Sequence, residues 1–305
     1  MRRGDRLPFL GYSSRLVRAC DATGFVSVVA AGGELETVST ELKREIDQIE
    51  AALTLMAQAV EVRVSTALEA WFAWDEDLAR SIRQADDEID RMDVEIEEHC
   101  TQVLALHQPV ASDLRFVLAA LRIVTNLERA ADLARSIAKR VIKLGNLPVG
   151  STGDEAMPPG GAEAGSGSEG SAIESADGGH DRGMRNGSST SGSGGRSVRV
   201  DPPESVKQMG EGVLRMLHEV MLAFHNEDIE GARAVRRRDL HIDQLNRDVF
   251  RWAVEGTQRD PERTEGYFGT IVMARALERI GDTCANVAED VIFAVGGSVV
   301  RHSPI

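Results

Sequence analysis

The chain has 305 residues, a formal net charge of −14, and 42% hydrophobic, 28% charged and 4% aromatic residues. That length suits one large domain or two small ones, and the apolar fraction can supply a core. The acidic balance argues against non-specific grip on nucleic acid, which needs a basic stripe, but is compatible with cations or a basic partner surface. The three cysteines, Cys20, Cys100 and Cys284, form no C-x-x-C pair and suit a reducing cytosol. No apolar run approaches the ~18–20 residues of a membrane helix, so the expected location is cytoplasmic.

Residues 1–33 carry Arg2, Arg3, Arg6, Arg15 and Arg18 before a short apolar stretch from Phe25 to Ala31. The segment can be read as a targeting segment, but the apolar stretch is short and sits late, and the favoured reading of 1–33 is a disordered extension or an over-long start. Leu35, Val38, Leu42, Ile46, Ile49, Leu53, Met56, Val60 and Val64 then step by three or four, one apolar stripe on a long helix. Leu78, Ile82, Ala85, Ile89, Met92 and Ile96 form the seam of a second helix, which continues through Cys100, Val103 and Leu106. Gln108-Pro109 breaks the pattern, and Pro suits the first turn of a new helix. Val110, Leu114, Val117, Leu121, Val124, Leu127 and Ala131 carry that third helix to about Leu144, with Gly145 as its stop.

Residues 148–203 are rich in Gly, Ser and acids and nearly free of large apolar side chains. Such a segment cannot offset the entropy of ordering and reads as a flexible linker. Helices then return over about 204–224, 228–255 and 262–295, with Asp260-Pro261 as the last turn and Gly296-Gly297 as the end. The expected fold is all-α: two tandem three-helix bundles, at 34–147 and 204–296, with a tail at 297–305.

The two halves also match in sequence. Asp86-Asp87-Glu88-Ile89-Asp90 corresponds to Asp239-Leu240-His241-Ile242-Asp243, and Leu127-Glu128-Arg129-Ala130-Ala131-Asp132 to Leu277-Glu278-Arg279-Ile280-Gly281-Asp282. Each half therefore has two acid-x-x-x-acid pairs, and residues four apart share one helix face. In an antiparallel hairpin, residues at one level have position numbers of constant sum. Asp86 with Asp132 and Asp90 with Glu128 centre the first hairpin on Pro109. Asp239 with Asp282 and Asp243 with Glu278 centre the second between Asp260 and Pro261. Four carboxylates thus meet at one level in each half, roughly 30 Å from the turn at 1.5 Å per residue. Without a counter-ion that is unfavourable wherever water is partly excluded, and all-oxygen sites suit Mg, Mn, Fe or Ca, or Zn with mixed ligands. The bland alternative is a solvated acidic face paired with Arg83, Arg91, Arg129, Arg236 and Arg279. His99, His107, His218, His225 and His241 hold no matched positions and read as surface or packing residues. Cys100 and Cys284 read as small buried apolar groups.

These residues resemble the PhoU family. The stretch Leu104-Ala105-Leu106-His107-Gln108-Pro109-Val110-Ala111-Ser112-Asp113-Leu114-Arg115 is similar to its helix–turn–helix segment, and 127–134 and 277–289 are similar to its acidic motifs. The likeness covers roughly 36–147 and 204–295. It implies two spectrin-like three-helix bundles. It also implies metal ligation by Asp86, Asp90, Glu128, Asp132, Asp239, Asp243, Glu278 and Asp282, with multinuclear iron as the expected metal and manganese, zinc or magnesium as alternatives. The implied role is negative regulation of phosphate uptake and of the phosphate-starvation response. The implied partners are a phosphate ABC transporter and a phosphate-sensing histidine kinase, with a homodimer expected and the membrane approached only through those partners. Ala130-Ala131 stands where the family has Ile-Gly, and the long linker and the N-terminal extension are atypical. No nucleophile–base pair or phosphate-cradling loop is evident, so no enzymatic activity is expected. Two other classes stay open: a helical-bundle metalloenzyme of the di-iron type, whose Glu-x-x-His pairs are missing here, and a metal-free helical scaffold.

Overall fold

The structure is a computed structural model. It describes residues 19–20, 26–27, 32–84, 86–147 and 198–297, with only the backbone at 19–20, 26–27, 32–39 and 83–87. Most of the expected N-terminal extension, most of the expected linker and the tail after Gly297 lie outside the described residues. Two strands, β1 (Ala19–Cys20) and β2 (Val26–Ser27), pair antiparallel ahead of the helices. The helices are α1 (Gly32–Ala73), α2 (Glu76–Gln84), α3 (Asp86–His107), α4 (Ala111–Gly145), α5 (Glu204–His225), α6 (Ile229–Arg259) and α7 (Thr264–Gly296), with a 3₁₀ turn at Pro261–Arg263.

The apolar stripe of α1 becomes one side of the core: Ile49, Leu53, Met56, Val60 and Val64 are buried, and burial continues through Ala67, Leu68, Ala70 and Trp71. The expected second helix consists of α2 and α3, with position 85 between them outside the described residues. Both halves start their second helical segment with the same device. Trp74 (φ 51°) and Glu227 (φ 52°) take left-handed backbone, and the next amide reaches back five residues, Asp75 N to Ala70 O (2.9 Å) and Asp228 N to Ala223 O (2.8 Å). This is the closure of a Schellman cap. The same aspartates then cap the next helix. Asp75 Oδ1 accepts from Leu78 N (2.9 Å), and Asp228 Oδ1 accepts from Glu230 N and Gly231 N (3.0 Å each). At the far end of the chain Gly297 (φ 68°) closes α7, a conformation open to glycine without a Cβ penalty.

One expectation fails at the first hairpin tip. Leu106 is 76% exposed and Val110 72%, so the seam stops at Val103 on one side and starts at Val117 on the other. The reason is length. Arg115 Nε donates to Ala294 O (3.2 Å), only two residues before α7 ends, so the α3–α4 tip extends past the end of α7.

The first half packs α1, α2–α3 and α4 together, and the second packs α5, α6 and α7. The halves also pack on each other, α4 along α7 and α1 along α5, so one continuous core runs through both. The last expected linker residues belong to this core. Val198 is buried within it, and Arg199 Nη2 donates to Glu76 Oε1 (3.0 Å) while its guanidinium lies 5.8 Å from the Trp74 ring centre.

Candidate metal centre

The α6–α7 hairpin brings the four acids of the second half within electrostatic reach of one another. The Asp239 carboxyl is pushed up to about 7, first by burial and then by the charges of Asp282, Asp243 and Glu278. Glu278 is raised by burial and by Asp282 and Asp243, against the pull of Arg275 and Arg279. Asp282 is raised by burial and Asp243, and eased by Arg129 and Arg279. Asp239 Oδ1 is buried and has no hydrogen-bond partner. Gly281 makes room for it, since a Cβ there would stand 3.0 Å from that oxygen. Beside these acids lies an open cleft of about 320 Å³ lined by Asp239, Asp282, Arg129, Arg236, Thr283 and Asn286. Arg129 reaches it from α4, in the other half of the molecule.

The first half is built differently. Glu128 is pushed up to about 7 by burial, then by Asp132, Asp93 and Asp90. Asp132, however, accepts from Arg135, and the second half has Ala285 at the position corresponding to Arg135. Asp90 lies at the level of Glu128, and the side chain of Asp86 is outside the described residues. Asp93 joins this group and is itself raised by burial and by Glu97 and Asp90. Comparison of the halves passes over it, because its counterpart is Asn246.

Among the described residues no three His, Cys, Asp or Glu side chains are placed to hold a metal ion together. In the second half the residues fit a cation: the donors are all oxygen, and the partnerless Asp239 Oδ1 is an acceptor in need of positive charge. In the first half Arg135 already supplies that charge to Asp132, so the fit is poorer.

The remaining sequence candidates fall elsewhere. Arg91 pairs with Glu95 (3.7 Å) and Arg236 with Glu289 (3.1 Å), and the Arg83 side chain is outside the described residues. His99 pairs with Glu45 (2.7 Å), His225 with Glu50 (2.7 Å) and His218 with Glu61 (3.6 Å), while His241 is exposed. Cys100 and Cys284 are buried, which pushes the Cys100 thiol up to about 12 and the Cys284 thiol higher still.

A family model described as the PhoU domain matches twice, at residues 53–141 and 206–291. The phosphate-specific transport system accessory protein PhoU homolog of Pseudomonas aeruginosa is 29% identical over 265 residues, 87% of this chain and 89% of that protein. The phosphate-specific transport system accessory protein PhoU of Escherichia coli is 26% identical over the same share of each. The crystal structure of PhoU from P. aeruginosa superposes with a TM-score of 0.64 at 27% identity, covering 84% of this chain and 99% of the other. A PhoU structure from Streptococcus pneumoniae, at 24% identity and a TM-score of 0.63, shares the fold. Both matched segments contain one of the hairpins described above, and with two domains spanning most of its helices this chain belongs to the PhoU family.

Proposed function

We propose that this protein is an accessory regulator of phosphate uptake. It acts as a negative regulator and adaptor between a phosphate ABC transporter and a sensor histidine kinase, at the cytoplasmic face and as a homodimer. The observation that carries this reading is the double match to the PhoU domain, together with relatives named as accessory proteins of a phosphate-specific transport system. Among the described residues no helix is long and apolar enough to cross a membrane, so contact with the membrane would come through partners. In this reading Asp239, Asp243, Glu278 and Asp282 hold a cation, iron first and manganese, zinc or magnesium as alternatives. Asp86, Asp90, Glu128 and Asp132 hold a second, weaker one. A bound cation would neutralise the acids and pin α6 to α7, leaving a rigid charged face for a partner. No catalytic step is required.

The test is complementation. In a host lacking its own PhoU protein, this chain should silence a phosphate-starvation promoter at high phosphate, and tagged protein should recover transporter or kinase subunits. An Asp239→Asn/Asp282→Asn double variant should lose bound metal by elemental analysis and lose silencing. A promoter unresponsive to the wild-type chain, with no such subunit recovered, would sink the regulatory reading. Equal, negligible metal in wild type and variant would sink the metal reading alone.

A further inference from the structure

Away from the carboxylate groups, α1 and α5 border a groove of about 670 Å³. Ala51, Leu55, Met221 and Leu222 give it an apolar surface, and Leu55 is 58% and Leu222 47% exposed. Its charged lining has one sign. Asp47, Glu50 and Glu61 face it, with His218 and His225 beside Glu61 and Glu50, and no Lys or Arg is among the lining residues. An apolar trough with an acidic rim fits a segment that alternates cations with apolar side chains.

This chain contains such a segment. Residues 1–18 hold Arg2, Arg3, Arg6, Arg15 and Arg18 against the single acid Asp5, interleaved with Leu7, Phe9, Leu10, Leu16 and Val17. The strand pair puts Ala19 opposite Ser27, five residues before α1 begins at Gly32. From Gly32, Asp47 is about 22 Å and Glu61 about 44 Å along the helix. Eighteen extended residues span about 60 Å, enough to reach both.

We propose that residues 1–18 lie in the α1–α5 groove of their own chain, with arginines against Glu50 and Glu61 and apolar side chains against Leu55 and Leu222. The tether gives the segment a high effective concentration, so an outside ligand must displace it. This inference is independent of the phosphate and metal readings.

The probe is a fluorescent peptide of residues 1–18, titrated by anisotropy against the full chain and against a chain lacking residues 1–18, each checked for helicity by circular dichroism. The peptide should bind the shortened chain at least tenfold more tightly than the full chain. Glu50→Gln/Glu61→Gln in the shortened chain should weaken binding at least tenfold, as should Arg15→Glu/Arg18→Glu in the peptide. Equal affinity for both chains, or no binding to the shortened chain, would overturn the proposal. So would a shortened chain that gains a self-association absent from the full chain and loses it again on Leu222→Asp, because the occupant of the groove would then be a second copy.

Discussion

At Asp239 burial and three neighbouring carboxylates act in one direction, holding the proton up to about pH 7. In the unfolded chain the same group releases it near pH 4. A raised folded value adds stability that is complete below the unfolded value and is lost as pH rises through the folded one. Metal-free protein should therefore be less stable at pH 8 than at pH 5. Asp239→Asn should flatten that difference and stabilise the metal-free protein at pH 8 by about 1 kcal/mol, reduced from the full linkage because the site is partly open to solvent. Urea unfolding with a chelator present measures it, and a variant no more stable than wild type at pH 8 would contradict the argument. The acids were legible in sequence because the motif occurs in both halves at matching levels of two hairpins. Asp93 and Arg135 were not, since each sits in one half only, opposite Asn246 and Ala285, and a repeat reveals only what is duplicated.

At the scale of elements, helix existence followed from three–four periodicity, and the two hairpin turns from Pro109 and Pro261. Less visible was the segment Val198–Val200, which falls within the stretch expected to be a flexible linker. Three residues carry no period, and the segment's burial depends on a glycine far along the chain. A Cβ on Gly266 would stand 2.0 Å from Val198 O and 2.3 Å from Val200 Cγ2, and Arg263 Nη1 donates to Arg199 O (3.4 Å). A Cβ on Gly145 would likewise stand 2.3 Å from Oε1 of Glu76, the residue that accepts from Arg199. Two glycines thus let the returning chain seat itself at the ends of α2, α4 and α7. Because the obstacle is backbone rather than a movable side chain, Gly266→Ala should dislodge the segment and destabilise the protein by about 1–3 kcal/mol. Limited proteolysis should then cut near 198–203 under conditions that leave wild type intact. Unchanged cleavage and melting temperature would show that the segment contributes nothing.

For the whole molecule the decisive contact is α4 against α7, because it joins two bundles that the chain connects only through residues 148–197. Asp290, buried on α7, is met by Arg122 from α4 (3.3 Å), whose guanidinium also lies 5.2 Å from the Phe293 ring centre. Phe116 stacks on Phe224 at 5.4 Å. Gly269 admits Leu144, and Gly210 admits Leu68, each where a Cβ would stand within 3.0 Å of the opposing side chain. Periodicity within one helix says nothing about such a fit, since the small residue and the large one that fills its place are on different halves. Removing a buried apolar contact of this kind typically costs several kcal/mol, so the halves should behave as one cooperative unit rather than as tethered domains. Residues 1–147 and 198–305, co-expressed as separate chains, should therefore co-purify as a stoichiometric complex with one thermal transition. Leu144→Asp, which puts a charge against Gly269, should separate them on size exclusion. Two independent transitions in the intact protein, or fragments that never associate, would mean that the connecting chain alone holds the bundles together. Arg129 would then no longer be fixed beside Asp282, and the second carboxylate group would lose a cation supplied by the other half.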